Sequence, residues 1–549
     1  MTAQAPVRPV PPAAAPRHAR PALLHSERAS AGLALRQIWF GGLLVAAWTG
    51  IMLWFGAVGF DKAHKLAGGV SLASLADNPA FRAIYGLPTA VDTLGGFMVW
   101  RVQILITIVG AIWAALAVSG VLRGSEEAGR FDLMLATPLS LARATGASLL
   151  AALAAPLLAM VVAASALQAA GAPAGGAWLW GAGLGLLIAT FAALAALTSQ
   201  VVPDQRRAGG LAAAVVLGTL VLRMVADGYQ GTSWVRWTTP FGWLENLHAF
   251  GGNDLLPLVA LIGAPLVLAA CALWLARQRD TGAGLVRAAD SAPRASTRML
   301  TGPLGFLTSR RLRGLIGWAL AVAVVAVFSG ALADSFTGFT STPQYVQELN
   351  KFGMGAAVTP RGFLAIMNAI LAVVIAGYAV TCVHGDYADE VATRLDLPYS
   401  NKVTRTRWAG SSLATIAGGL VALTVVIALT TWAGSAIAGA GLSAADCFEG
   451  AANVLPVAVL FLGFAMLLHG VWPSWTAGLV GGLVIVLYMV SLIGPGLSWP
   501  AWLVDLSPYH HLRLVPAQPP GWTALGVMLG IAVAAAAAGL AGYARRDLR

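Results

Sequence analysis

Twelve apolar segments, each long enough to cross a membrane, constrain the fold of this chain more than any other feature of its sequence. About 20 residues of α-helix span the hydrocarbon core of a bilayer. Only 10% of the residues are charged and 58% are hydrophobic, whereas soluble domains carry roughly 25% charged residues. Because helices satisfy their own backbone groups in lipid, we predict an all-α polytopic membrane protein. The segments lie near residues 38–59, 97–122, 144–170, 177–202, 208–226, 255–276, 314–333, 362–383, 409–432, 451–469, 474–494 and 521–543.

The basic residues predict how these segments are oriented. With the N-terminus inside, 25 of the 34 Lys and Arg residues fall in cytosolic segments, whereas Asp and Glu divide 12 to 11. Such a bias is the usual signal of topology. We therefore predict a multi-pass protein of the plasma membrane with both termini in the cytosol. The net charge of +11 then reports topology, and a nucleic-acid partner is not expected.

The segments divide into two six-helix halves that look like fused repeats. We predict halves at residues 36–280 and 308–549, joined by a cytosolic linker at 281–307. Residues 1–35, rich in Pro, Ala and Arg, are predicted to be a disordered cytosolic tail that contains the start of an elbow helix.

Short motifs recur at matching places in the two halves. Each half opens with a basic lead-in, has a Pro-aromatic segment before its last span, and ends in a basic cluster. The lead-ins are LALRQIWFGGLL (33–44) and TSRRLRGLIGW (308–318), the Pro-aromatic segments TPFGW (239–243) and SPYHHL (507–512), and the clusters ARQRD (276–280) and ARRD (544–547).

A polar loop also occurs twice, after the second span of each half. The copies are EEAGRFDLMLATPLS (126–140) and DYADEVATRLDLPYS (386–400), and laid over each other without a gap they pair Glu126 with Asp386 and Ser140 with Ser400. A solvated loop is one interpretation, and a docking surface for a partner is the other. The candidate docking residues are Glu126, Glu127, Arg130, Asp132, Asp386, Asp389, Glu390 and Arg394.

Known catalytic motifs are missing from the sequence. None of the four lysines follows a glycine, so the chain has no phosphate-binding P-loop, and it has no HExxH or GxSxG motif. We therefore predict no catalytic residue, no metal site and no cofactor on this chain. Inside the predicted spans Arg101 and Arg223 are the only Lys, Arg, Asp or Glu residues, both near the outer ends, where long arginines reach the headgroups. An outer ion pair of Arg223 with Asp227 is the alternative.

In the loop EEAGRFDLMLATPLS, the run RQRDTGAGL (277–285) and TGPLGFLTSRRLRGLIGW (301–318), the chain resembles the permease subunits of ABC-2-type exporters. It is similar to the actinobacterial tetronasin and polyketide-antibiotic (multidrug) exporter permeases. This resemblance implies two copies of a separate ATPase subunit, which bind ATP and Mg and dock on loops 123–143 and 384–407. It also implies alternating access that moves lipophilic or amphiphilic small molecules, antibiotics among them, out of the cell.

Three tryptophans deep in the predicted spans are candidates for the substrate path: Trp48, Trp54 and Trp113. Packing and lipid contact are the alternatives for each. Two other functions remain open for the whole chain. One is an ion-coupled secondary drug transporter with twelve spans, which usually needs ionisable groups within the membrane. The other is a membrane scaffold that transports nothing.

Overall fold

The computed structural model of the protein describes residues 19–67, 82–83, 85–136, 139–228, 231–282, 284–285, 302–333, 359–391, 403–495 and 499–546. Over these residues the fold is helical without β-strands. Twelve helices are long and apolar enough to cross a membrane, so the predicted fold class is confirmed. They are α1 (Ser26–Phe60, within a helix that begins at Ala19), α2 (Leu94–Glu127), α3 (Leu141–Ala169), α4 (Ala174–Val201), α5 (Gln205–Gly228), α6 (Leu256–Ala276), α7 (Pro303–Leu332), α8 (Pro360–Val391), α9 (Arg405–Ala438), α10 (Ala444–Val471), α11 (Pro473–Leu492) and α12 (Trp522–Arg545).

The first helix begins well before its apolar segment. Residues from Ala19 onward, predicted as tail and the start of an elbow helix, are helical and continue directly into α1. The Ser30 hydroxyl donates to the carbonyl of Ala144 on α3 at 3.2 Å, so this stretch packs on the protein. Residues 1–18 of the predicted tail and 286–301 of the predicted linker lie outside the described residues.

Polar side chains cap the first turns of three of the spans. Ser140, Thr404 and Ser443 precede α3, α9 and α10, and each side-chain oxygen accepts a hydrogen bond from the backbone of the first turn. Ser443 forms a capping box with Asp446. The helix α9 ends at Gly439, whose φ of 72° suits a residue without a Cβ.

The described residues form two compact units, with the division after Ser291. In the first unit α4 is central and packs against α2, α3 and α6, while α5 packs against α2. The core side chains of α4 include Leu184, Ile188 and Phe191, each no more than 1% exposed. This arrangement brings the ends of α2, α4 and α6 together next to the polar loop.

The second unit repeats these neighbour relations. Its α10 packs against α8, α9 and α12, and α7 packs along α9. The close approach of α10 to α12 depends on small residues, because a Cβ on Gly463 would lie 2.5 Å from the carbonyl oxygen of Ala532. Gly470 and Gly539 face the same interface.

Candidate functional site

The first copy of the polar loop begins with a buried ion-pair cluster around Glu126. The helix α2 ends in a π-helical turn at Gly120–Gly124 followed by Ser125–Glu127. Arg279, in the basic cluster after α6, donates two hydrogen bonds to the carboxylate of Glu126 at 2.8 and 2.9 Å. Arg123 adds a third at 3.0 Å, and the backbone N–H of Gly282 a fourth at 2.6 Å.

The same cluster joins three helix ends. Arg279 donates to the side chain of Gln200 on α4 at 2.7 Å, and Arg123 donates to the carbonyl of Ser199. Both guanidinium groups are at most 4% exposed. Charge-assisted bonds of this kind are strong and directional. Glu126 therefore fixes the start of the loop to α4 and α6, and its carboxylate does not face solvent.

The exposed face of the first loop lies on the short helix Arg130–Leu135. Phe131 is buried against the unit, whereas Asp132 is exposed and Leu133 is 78% exposed. Glu127 is exposed as well, and its Oε1 accepts from the backbone N–H of Gln205 at 2.5 Å. Leu133 thus places apolar surface beside Asp132 on the exposed side of this short helix. Sequence reasoning concentrated on charges and missed Leu133.

The second copy has an analogous cluster. Glu390, near the end of α8, accepts two hydrogen bonds from Arg546 at 2.5 and 2.6 Å. Arg546 belongs to the basic cluster after α12, as Arg279 belongs to the cluster after α6. Arg405 in turn donates to the backbone carbonyl of Arg546 at 2.5 Å. Each loop is thus fixed through a glutamate to an arginine just beyond the last span of its own unit.

These contacts correct the pairing of the two copies. Glu126 corresponds to Glu390, four residues beyond the Asp386 of the ungapped pairing, which is about one helical turn. The same shift pairs Ser140 with Thr404, which cap α3 and α9. In this register EEAGRFDL (126–133) and EVATRLDL (390–397) share five of eight residues. We call the shared pattern E-x-A-x-R-[FL]-D-L the loop motif.

Two of the other predicted docking acids have partners inside the second unit. Asp386 pairs with Arg311 at 2.5 Å and accepts from Ser412, and the buried Asp389 pairs with Arg310. Both arginines come from the basic lead-in. The carboxylates thereby fix the lead-in to the root of the loop, so any part they have in docking is indirect. Arg394 lies outside the described residues, as do Asp396 and Leu397 of the loop motif.

The three candidate tryptophans lie in different surroundings. The indole N–H of Trp48 donates to the carbonyl of Leu105 at 3.0 Å. This bond joins α1 to α2. Trp54 is 55% exposed, with its ring against Phe55. Trp113 is half-buried and lines a cavity. Their role in a substrate path stays a prediction.

A second charged cluster lies at the opposite ends of α2 and α5. Arg223 is 2% exposed and therefore does not reach outward as predicted; it pairs with Asp227 at 2.7 Å, as in the alternative. Its Nε also donates to Glu245 at 2.6 Å, and Gln103 donates to the same carboxylate at 2.8 Å. Arg236 lies 2.9 Å from Asp227. Two arginines and two carboxylates thus balance within one buried cluster.

Comparison with known proteins places these features in a family. A profile described as "Multidrug efflux system permease Rv1217c, C-terminal domain" matches residues 28–277 and 300–544. The chain belongs to this family. The "Multidrug efflux system permease protein Rv1217c" of Mycobacterium tuberculosis (strain ATCC 25618 / H37Rv) is 28% identical over 492 residues, which cover 89% of this chain and 88% of the relative. The matched segments contain both copies of the loop motif.

Proposed function

We propose that this chain is the membrane-spanning permease subunit of an ATP-driven ABC-2-type exporter for lipophilic and amphiphilic compounds, antibiotics among them. The name of its relative, a multidrug efflux system permease, supports export of small molecules. Two copies of a separate ATPase subunit bind ATP and Mg and dock on loops 123–143 and 384–407. The twelve helices span the plasma membrane, and both termini lie in the cytosol.

The observation that carries this proposal is the repeated loop motif with its matching glutamate–arginine anchor. Glu126 with Arg279, and Glu390 with Arg546, tie each loop to the end of the last span in its unit. Glu126 is buried by its anchoring contacts, whereas Asp132 and Leu133 of the first loop are exposed. Two similar, rigidly rooted loops in one chain suit a pair of identical partner subunits. This recurrence, with the matched helix neighbours, also supports a fused duplication.

The anchors suggest how force reaches the membrane. A partner that pulls on the short helix Arg130–Leu135 pulls on Glu126, and through Arg279 and Arg123 on the ends of α4 and α6. Because buried charge-assisted bonds are strong and directional, we expect these helix ends to move together. Closure of the ATPase pair would thereby move each unit as a body and open the path outward.

An ion-coupled carrier is the second candidate, and one observation favours it. Arg223, Asp227 and Glu245 form a buried ionisable cluster of the kind that relays ions in such carriers. Every charge in the cluster is balanced by an opposite one, however, and three of its ion pairs are direct. A cluster so compensated suits a structural role better than a relay.

Transport into inverted membrane vesicles separates these functions. We expect a fluorescent amphiphilic dye to accumulate on addition of ATP, with accumulation retained after an uncoupler collapses the proton gradient. A non-hydrolysable ATP analogue should not support it. Accumulation that needs the gradient and not ATP would establish the ion-coupled carrier. Unchanged export from a strain that lacks this chain would indicate a membrane scaffold that transports nothing.

A further inference from the structure

A cavity of about 380 Å³ opens in the first unit among α1, α2 and α5, beside the first loop. Trp113 and the turn Gly120–Gly124 line one side, Gln37 of α1 and Gln205 of α5 line the others, and Arg130 reaches it from the short helix. Ligand sites commonly have volumes of about 300–1,000 Å³. The cavity is thus large enough for a small molecule.

Local sequence explains why this space exists. The π-helical turn Gly120–Gly124 widens α2 where the cavity lies, and such turns are frequent at functional sites. A Cβ on Gly124 would lie 2.5 Å from the side-chain oxygen of Gln205, and a Cβ on Gly41 would collide with the indole of Trp113. Glycine at these two positions leaves room for the side chains of Gln205 and Trp113 at the wall of the cavity.

At the corresponding contact in the second unit both helices carry an aromatic side chain. There Trp318 on α7 packs against the buried Tyr378 on α8, with ring centroids 6.1 Å apart in an edge-to-face arrangement. Gly41 and Trp113 make the equivalent contact between α1 and α2. We infer that the large Trp318 side chain takes up the space that Gly41 leaves open in the first unit. We therefore expect one such site in the chain, in the first unit.

The chemistry of the lining favours an anion with an aromatic body. Arg130 is the one charged residue among the described residues that line the cavity, and within the described part of the chain its guanidinium donates to the carbonyl of Gly124, at 3.4 Å. The nearby carboxylates are engaged elsewhere, Glu126 by Arg279 and Glu127 by the backbone of Gln205. An arginine without a carboxylate partner binds carboxylate, sulfonate or phosphate groups well. The Trp113 ring offers an apolar wall beside it.

We propose that this cavity binds amphiphilic cargo with a flat aromatic body and an anionic head group, with Arg130 as the residue that selects the charge. The inference rests on the proposed export function and names its substrate class. Arg130 belongs to the loop motif and lies three residues from the exposed Leu133. Because residues three apart lie on one face of a helix, bound cargo and a docked ATPase would contact neighbouring parts of one short helix, which gives a direct route for cargo to stimulate hydrolysis.

The test uses two matched probes and the purified full chain in phosphatidylcholine nanodiscs, without ATPase. The anionic probe is 1-anilinonaphthalene-8-sulfonate, and the neutral probe is N-phenyl-1-naphthylamine, which lacks the sulfonate. Binding is followed by fluorescence after subtraction of empty discs. We expect one saturable site for the anionic probe on the wild-type chain. Gly41→Trp, which copies the arrangement at Trp318, should abolish it.

Arg130→Gln should weaken the anionic probe about tenfold and leave the neutral probe within twofold, while Arg130→Lys should recover most of the loss. Arg143→Gln, at an exposed arginine on the same side, should change neither. Each variant is first checked for a single symmetrical peak in size-exclusion chromatography. Saturable binding that persists in Gly41→Trp, an equal loss of both probes in Arg130→Gln, or no saturable site at all would overturn the proposal.

Anionic lipid is the competing occupant, and a second disc composition tests it. The measurement is repeated in discs with phosphatidylglycerol at 0.5 M salt, where surface potentials are screened over a few ångströms. Retained binding of the anionic probe supports a cargo site, and its loss would assign the cavity to a lipid head group. Because no ATPase is present, a negative result here leaves the docking proposal intact, and a failure of docking leaves this result intact.

Discussion

At the scale of single residues, the contrast between Glu126 and Glu127 decides how the first loop works. Sequence alone treated these neighbours as equivalent docking charges. Glu126 is buried among Arg123, Arg279 and the Gly282 backbone, whereas Glu127 is exposed. The sequence could not separate them because Arg279 lies 153 residues further along the chain. Only the packing of both α6 and α2 against α4 brings it there.

Glu126→Gln should therefore destabilise the chain strongly. It leaves two buried guanidinium groups without their carboxylate, and removing one partner of a buried ion pair costs about 3–5 kcal/mol. We expect a clear drop in the apparent melting temperature of the detergent-solubilised protein. Glu127→Gln, one residue along, removes the same charge from an exposed position and should stay close to wild type. Equal melting temperatures for the two variants would contradict the anchoring role of Glu126.

At the scale of helices, hydropathy predicted all twelve spans but could not predict the register between the halves. Gln103 of α2 contacts Trp180 on α4, and Asn368 of α8 lies beside Gly450 at the equivalent position of α10. Gln103 and Asn368 are therefore counterparts, and they are 265 residues apart. Glu126 and Glu390 are 264 apart. The π-helical turn in α2 accounts for the extra residue, since α8 is α-helical throughout. A hydrophobic pattern does not reveal one added residue in an apolar helix.

Two glycines on α12 predict opposite effects of a Gly→Ala substitution on the stability of the protein. Gly539 is buried against the backbone carbonyl of Met466 on α10, so Gly539→Ala must push the helices apart, at about 1–3 kcal/mol. Gly530 is exposed, and a Cβ there would meet open space. Gly530→Ala should be neutral or stabilise by up to about 1 kcal/mol, because alanine is the better helix former. Thermal unfolding of both variants in detergent measures the difference. A Gly539→Ala chain as stable as wild type would show that α10 and α12 do not approach so closely.

At the scale of the whole molecule, two units with the same helix neighbours each carry one loop motif rooted by one glutamate–arginine pair. Composition and the lengths of the apolar segments were enough to predict a twelve-span membrane protein. The repeated loop was recognised from its position, yet its strongest sequence match emerged only when the anchors fixed the register. The account predicts two similar docking surfaces in one chain, each formed around the aspartate and leucine of its loop motif.

The number of P-loop ATPase subunits that co-purify with the affinity-tagged chain from its own membranes tests this most directly. We predict two ATP-hydrolysing subunits per wild-type chain, and none with Leu133→Asp and Leu397→Asp combined, because a charge at the leucine of each loop motif disrupts the contact. Arg206→Gln and Arg207→Gln combined, which also lower the net charge by two at exposed positions in the first turn of α5, should retain both subunits. Two subunits retained by the double variant, or no P-loop ATPase bound to the wild-type chain, would contradict the proposed docking of ATPases on the two loops.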